Sequence, residues 1–147
     1  LKIALEAIDS SRVTVAAQAV GIAQAALDAA VAYTKDRQQF GKPIIKHQAL
    51  QWMLAGMYTQ LEAARLLTYR AAWCKDKKQP FTTEACMAKL YAAEVSRKVT
   101  NDAMQMHGGY GYCQDYPAER FLRDAKITEI YEGTSEMQRM TIARSLQ

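Results

Sequence analysis

Apolar residues recur along this chain at alternating spacings of three and four. Val13, Ala16, Val20, Ala23, Leu27 and Ala30 form one such stripe, the mark of a helix with a single buried face. It predicts a first helix from near Leu1 to about Asp36. Because the stripe is mostly Ala and Val, a partner helix can approach closely. Asp9, Ser10 and Ser11 interrupt the upstream apolar residues. They are either the cap of this helix or a polar patch inside a longer one. Arg37 to Pro43, RQQFGKP, then reads as a connector. Gly41 suits a helix C-cap or a tight turn, and Pro43 suits the start of the next helix.

A second stripe of Leu50, Leu54, Met57, Leu61, Ala64, Thr68 and Ala71 predicts a helix from about Ile44 to Lys77. Two helices of this size are each roughly 50 Å long. KDKKQPFTT breaks the rhythm, with Pro80 as the stop and Thr82 or Thr83 as the next N-cap. Ala88, Ala92, Val95, Val99, Ala103 and Met106 mark a third helix that ends at His107-Gly108-Gly109. A short helix is expected from near Pro117 through Arg120 to Lys126, and a last one from near Thr134 to the C-terminus. Trp52, Met53, Met57 and Trp73 read as core. With no convincing strand and no internal repeat, the prediction is all-α. It is an antiparallel, up-and-down, four-helix-bundle-like domain with long helices, occupying residues 1–147 as one unit.

Composition agrees. The 147 residues are 50% hydrophobic, with 7 Gly and 3 Pro, enough for one core and too few turn formers for a sheet protein. The net charge of +4 is spread out apart from Lys75, Lys77 and Lys78, a solvated helix end, so no nucleic-acid footprint is expected. Three cysteines (Cys74, Cys86 and Cys113) without CxxC spacing point to buried thiols rather than a disulfide framework or zinc site. No uninterrupted apolar run approaches about 18 residues, so no membrane span is expected. No signal peptide is visible. The chain opens at Leu1 rather than Met, which suits a fragment.

The candidate chemistry is narrow. Two histidines, His47 and His107, lack the Glu-x-x-His spacing of a di-metal bundle, so no metal site is expected. His107 reads as a helix-end histidine. No GxSxG, GxGxxG or GxxxxGK[ST] occurs. What remains is IYEGTSEMQR at Ile130 to Arg139. Glu132 ends an apolar segment, where a carboxylate can have a raised pKa and act as a general base. Thr134, Ser135 and Glu136 read as a helix N-terminus, which offers unpaired N–H groups to an acceptor. Three further groups accompany it: Asp9-Ser10-Ser11-Arg12 at the head of the first helix, Arg37-Gln38-Gln39-Phe40-Gly41 at its tail, and Gln105 to Gly109 at the end of the third.

In this order, and with RQQFGKPIIKHQALQ, QLEAARLLTYRAA, AKLYAAEVS, QMHGGYGY and YPAERFLRDAKITEIYEGTSEMQR, these segments resemble the C-terminal helical domain of the acyl-CoA dehydrogenase family. The resemblance spans nearly the whole chain and is strongest to the short-chain, butyryl-CoA type. It implies an FAD enzyme that oxidises an acyl-CoA to the trans-2-enoyl-CoA, with Glu132 removing the α-proton while the β-hydrogen leaves as hydride. Glu129, one helical turn earlier, is the alternative base and does not match the motif. Some relatives carry the base on the first helix, where this chain has Ser11.

The resemblance further implies that Asp9, Ser10, Ser11 and Arg12 contact the CoA portion and that Gly133 leaves room for the thioester. Arg37 would reach the FAD pyrophosphate of a neighbouring subunit. Phe40, Gln48, Gln105, Met106, His107, Gly108, Gly109, Thr134, Ser135 and Glu136 would be further FAD contacts. It implies a homo-oligomer built as a dimer of dimers, electron-transfer flavoprotein as the acceptor, and a bacterial cytoplasmic or mitochondrial matrix location. The N-terminal helical and middle β domains of the family are absent from these residues, so the chain alone is expected to be inactive. An acyl-CoA oxidase and a non-catalytic helical assembly module are the rival readings.

Overall fold

A computed structural model describes residues 2–147, with side-chain surroundings from residue 7 onward. Five helices carry the chain: α1 (Lys2–Asp36), α2 (Gln48–Asp76), α3 (Thr82–His107), α4 (Ala118–Ile127) and α5 (Ser135–Arg144). Short 3-10 turns at Ile44–Lys46 and Gly108–Tyr112 complete the order. The architecture is all-α, as the periodicity predicts.

The predicted stripes are the core. Val13, Ala16, Val20, Ala23, Leu27 and Ala30 of α1 are buried with Met57, Leu61 and Ala64 of α2 and with Ala88, Ala92, Val95 and Val99 of α3. α3 is the centre of the domain, touching all four other helices. Its row of small side chains permits this, because Ala leaves backbone-to-backbone room on several sides at once. α1 is long and apolar enough over Ala7–Asp36 to cross a membrane by length and hydropathy alone. Its apolar stripe is already covered by α2 and α3, which is the burial pattern of a core helix.

Asp9 to Ser11 are the polar patch inside a longer helix, the second of the two placements the sequence allows. Several details depart from the sequence reading. The connector is a small hairpin: β1 (Gln38–Gln39) pairs antiparallel with β2 (Lys42–Pro43). Phe40 and Gly41 form its turn with φ of 53° and 77°, the doubly positive pattern of a type I′ turn, which matches the twist of the flanking strands. Pro43 therefore ends a strand, and α2 begins at Gln48 rather than Ile44. Neither Thr82 nor Thr83 caps α3; Phe81 occupies that position without a side-chain bond. Thr82 Oγ1 instead donates to Asp9 Oδ2 at 2.5 Å. Trp52 and Trp73 are not core, being 67% and 54% exposed. With Tyr58, Leu66 and Tyr69 they lie on the outer face of α2. Helical periodicity reports which residues share a face, not whether the second apolar face of a helix is covered within the chain.

Candidate functional site

The predicted site residues fall into two groups at opposite ends of α1. Arg12 and Arg37 are 25 positions apart on the sequence, about 38 Å along a helix. At that separation no single cleft among the described residues unites them.

At the first end, α1 meets the Tyr131–Thr134 loop. Ser11 Oγ donates to Glu132 Oε2 at 2.6 Å, joining positions that the fold alone brings together. Arg12 Nη1 donates to Asp9 Oδ1 at 2.8 Å and to Cys86 Sγ at 3.3 Å. Its Nε reaches the Glu132 carbonyl at 3.4 Å. Asp9, Ser11 and Arg12 thus stand beside Glu132 and Gly133. Ser10 is half-buried beside them, and its carbonyl accepts from Thr14 Oγ1 at 3.4 Å.

The Glu132–Gly133 turn is left-handed at both residues, with φ of 55° and 93°. Glutamate rarely adopts this conformation, which costs of order 1–3 kcal/mol and persists only where surroundings enforce it. Here they do. Lys89 Nζ donates to the Gly133 carbonyl at 2.7 Å. Gln138 Nε2 donates to the carbonyls of Gly133 at 2.9 Å and Glu132 at 3.2 Å. A Cβ on Gly133 would lie 2.8 Å from Gln138 Nε2, so besides the strained φ it would displace the amide that bonds both carbonyls of the turn.

Lys89 is fully buried. Burial pushes its pKa below the ordinary 10.5, and the Arg12 charge adds to that. Burial likewise raises the Cys86 thiol, outweighing the Arg12 guanidinium. Lys89 and Gln138 escaped the sequence reading. The available signal for Lys89 was a lysine on the same row as Ala85, Ala92 and Ser96, all buried; a charge among small core residues marks a specific partner.

Glu132 itself is exposed. No apolar enclosure of its carboxylate forms among the described residues, where Ser11 is its hydrogen-bond partner. Glu129 is engaged elsewhere. It takes Arg97 Nε at 2.8 Å and Lys126 Nζ at 2.6 Å. Burial alone would raise its pKa, but these bonds hold it below the ordinary carboxylate value. A carboxylate pinned in its ionised form by two cations is a poor proton acceptor, which leaves Glu132 as the free one.

Beyond the turn, Thr134 caps α5 by accepting from the Met137 N–H at 3.5 Å. Thr134, Ser135 and Glu136 line a polar cleft of about 290 Å³ with Arg97, Lys126 and Arg139. Glu136 is held below its ordinary pKa by its own backbone N–H and the Thr134 hydroxyl. The Ser135 hydroxyl is buried without a partner.

At the other end of α1 lies an open cleft of about 450 Å³. Arg37, Gln105, Met106, His107, Gly108 and Gly109 all line it, together with Tyr33 and Tyr110. The His107 ring stacks on Tyr33 with centroids 4.3 Å apart, and its Nδ1 lies 2.8 Å from the Ala103 carbonyl. Arg37 sits over the Tyr110 ring at 5.6 Å and joins no ion pair among the described residues. Space beside Gly108 and Gly109 is open. An unpaired guanidinium, an exposed Gln105 amide, aromatic faces and bare backbone make a donor set suited to a phosphorylated aromatic ligand. Phe40 and Gln48 do not line this cleft. Phe40 is 91% exposed at the hairpin tip, and Gln48 is exposed at the start of α2.

Residues 1–147 match the family described as acyl-CoA dehydrogenase, C-terminal domain. The mitochondrial short-chain specific acyl-CoA dehydrogenase of Bos taurus is 57% identical over 145 residues, which is 99% of this chain and 35% of that protein. An acryloyl-CoA reductase (NADH) of Anaerotignum propionicum is 56% identical over 145 residues, 99% of this chain and 37% of that protein. The solved butyryl-CoA dehydrogenase of Megasphaera elsdenii superposes with a TM-score of 0.98 at 52% identity, covering 99% of this chain and 38% of that one. The chain therefore spans little more than a third of the length of these relatives.

Proposed function

The chain belongs to the acyl-CoA dehydrogenase family, and on that premise we propose that it is the C-terminal helical domain of an FAD-dependent enzyme that desaturates short-chain acyl-CoA to trans-2-enoyl-CoA. The observation that carries this reading is the bond between Ser11 and Glu132. It sets the segment read as an acyl-CoA contact against the carboxylate read as the base.

An α-C–H is a weak acid, so the base must be positioned and free to take the proton. Glu132 meets both conditions: its turn is fixed by Lys89, Gln138 and Arg12, and its carboxylate is held by no cation among the described residues. The C–H bond breaks, the proton joins a Glu132 oxygen, and negative charge develops at the thioester. The Glu132 backbone N–H, beside a residue without a side chain, is suited to meet that charge. Bound FAD supplies the hydride acceptor for the β-hydrogen.

The donor set of the Arg37 cleft fits such a dinucleotide, with Arg37 toward phosphate oxygens and the tyrosine faces toward aromatic rings. The separation of the two ends supports a site assembled from two subunits, with Arg37 serving a neighbour's FAD. The exposed apolar row on α2 supports a homo-oligomer, a dimer of dimers. Electrons leave to an electron-transfer flavoprotein, as the family resemblance implies. By itself the chain is inactive on this reading, because the family's N-terminal helical and middle β domains, which hold much of the flavin and close the acyl pocket, lie outside these residues.

The decisive experiment is Glu132→Gln in the complete protein, assayed with butyryl-CoA and electron-transfer flavoprotein. Turnover falls by about 10³–10⁴-fold with FAD content unchanged. Undiminished turnover identifies a helical assembly module instead, peroxide release identifies an oxidase, and NADH-driven reduction of the enoyl thioester reverses the direction.

A further inference from the structure

Ser11 has more neighbours than its single proton can serve. Its Oγ lies 2.6 Å from Glu132 Oε2 and 2.8 Å from the Ile8 carbonyl. A serine hydroxyl donates once and accepts through its lone pairs, whereas a carbonyl and an ionised carboxylate only accept. While Glu132 is ionised, its carboxylate and Ile8 therefore compete for one proton. Once Glu132 is protonated, the competition ends: Glu132 donates to Ser11, and Ser11 donates to Ile8. The Ile8 carbonyl is within α1 and is reached by the i+4 backbone N–H in either case, so it loses nothing essential when Ser11 turns away.

We propose that Ser11 is a two-position hydroxyl that follows the charge of Glu132, donating to the ionised base before proton abstraction and to Ile8 afterwards. This rests on the reading of Glu132 as the base. Ser11 is a positioning residue: its own proton stays on Oγ, and the proton that moves is the substrate's, from Cα to a Glu132 oxygen. The device holds the carboxyl group in one place in both protonation states. It thereby limits the reorganisation that proton transfer would otherwise require.

Among the described residues, the other charged and titratable groups near this turn are Asp9 and Arg12 on α1, Cys86 and Lys89 on α3, Tyr131 in the loop, and Glu129 and Glu136, whose charges act on Lys89. Arg12 and Lys89 bond to backbone carbonyls of the turn, Asp9 and Cys86 to Arg12, and Tyr131 to Gln18. Among the described residues, Ser11 alone bonds to the carboxylate oxygens.

The test compares Ser11→Thr with Ser11→Val in the complete flavoenzyme. The two side chains have nearly the same shape, and only threonine keeps the hydroxyl. Stopped-flow reduction by butyryl-CoA is measured in light and heavy water, with acyl-CoA affinity measured separately. At saturating butyryl-CoA, where a lost CoA contact does not enter the rate, the expected result is near-normal reduction for Ser11→Thr and about tenfold slower reduction for Ser11→Val, the loss of one charge-assisted hydrogen bond. Because the exchangeable Ser11 proton changes partner as the carbon-bound substrate proton moves, a small solvent isotope effect is expected in the wild type and in Ser11→Thr, and its loss is expected in Ser11→Val. If Ser11→Val loses FAD, Ser11→Ala against Ser11→Thr makes the same comparison. Equal rates and equal isotope effects with and without the hydroxyl overturn the proposal. A Glu132→Gln control that still turns over shows instead that the reading of the base has failed.

Discussion

The two ends of α1 are built on opposite plans. At the Arg12 end, the donors are engaged with acceptors inside the chain. Arg12, Lys89, Gln138 and Ser11 converge on one left-handed turn from α1, α3 and α5. At the Arg37 end, the donors face outward. Arg37 lies over the Tyr110 ring and joins no ion pair among the described residues, Gln105 is exposed, and the glycines leave open space. The first end holds a conformation; the second is prepared to receive something. A carboxylate that must meet one carbon atom requires rigidity, which hydrogen bonds from several elements provide. A surface that receives a phosphorylated ligand requires unspent donors, which a self-satisfied network lacks.

The sharpest way to break this contrast is to exchange the symptoms of the two ends. Arg37→Met in the complete protein weakens FAD retention about 10- to 100-fold, the loss of a charge-assisted contact to phosphate. Excess FAD restores its turnover, whereas no amount restores Glu132→Gln. Flavin content after gel filtration and turnover with added FAD measure both. A Glu132→Gln variant rescued by FAD would erase the distinction between the ends.

Next in size is Gly133→Ala. It forces a side chain into a φ of 93° and to within 2.8 Å of Gln138 Nε2. Destabilisation of about 1–3 kcal/mol is expected in denaturant unfolding, with turnover lost alongside. Alanine at Gly109, where nothing lies within 4 Å, leaves stability unchanged within about 0.5 kcal/mol and affects FAD retention alone.

The outer face of α2 offers a milder test. Leu66→Glu on its apolar row dissociates the oligomer in light scattering at low micromolar concentration while helix content stays intact. FAD retention then falls, because the Arg37 end loses the neighbour it serves.

The smallest effect concerns Lys89. Its folded pKa is lowered by burial, so between that value and the ordinary 10.5 the unfolded chain binds more protons than the folded one. Stability therefore rises with pH through this window. Thermal melts from neutral pH to about pH 10 should show this contribution, and Lys89→Met should remove it. A melting temperature with the same pH slope in both proteins would show that Lys89 is not a buried cation.

Much of this was readable in advance, and the exceptions share one cause. The stripes of α1, α2 and α3 were legible because helical periodicity is a local property and the core consists of those residues. Trp52 and Trp73 were misread because their spacing fits a helix face while their exposure depends on what covers it. The hairpin at Gln38–Pro43 was missed because two-residue strands carry no alternation to detect. Glu132 is singled out by its motif, yet the apolar enclosure expected for it does not form among the described residues.

By itself the sequence determined the helical class, the core rows, and the identity of the two polar ends, since each depends on neighbours a turn or two away. The tertiary structure decided which distant residues meet. Ser11 reaches Glu132, Lys89 reaches Gly133, and Arg37 is left far from both. The reason is physical: a side chain's partner across the fold is set by how helices pack and where their connections end. Periodicity along one helix carries no information about that.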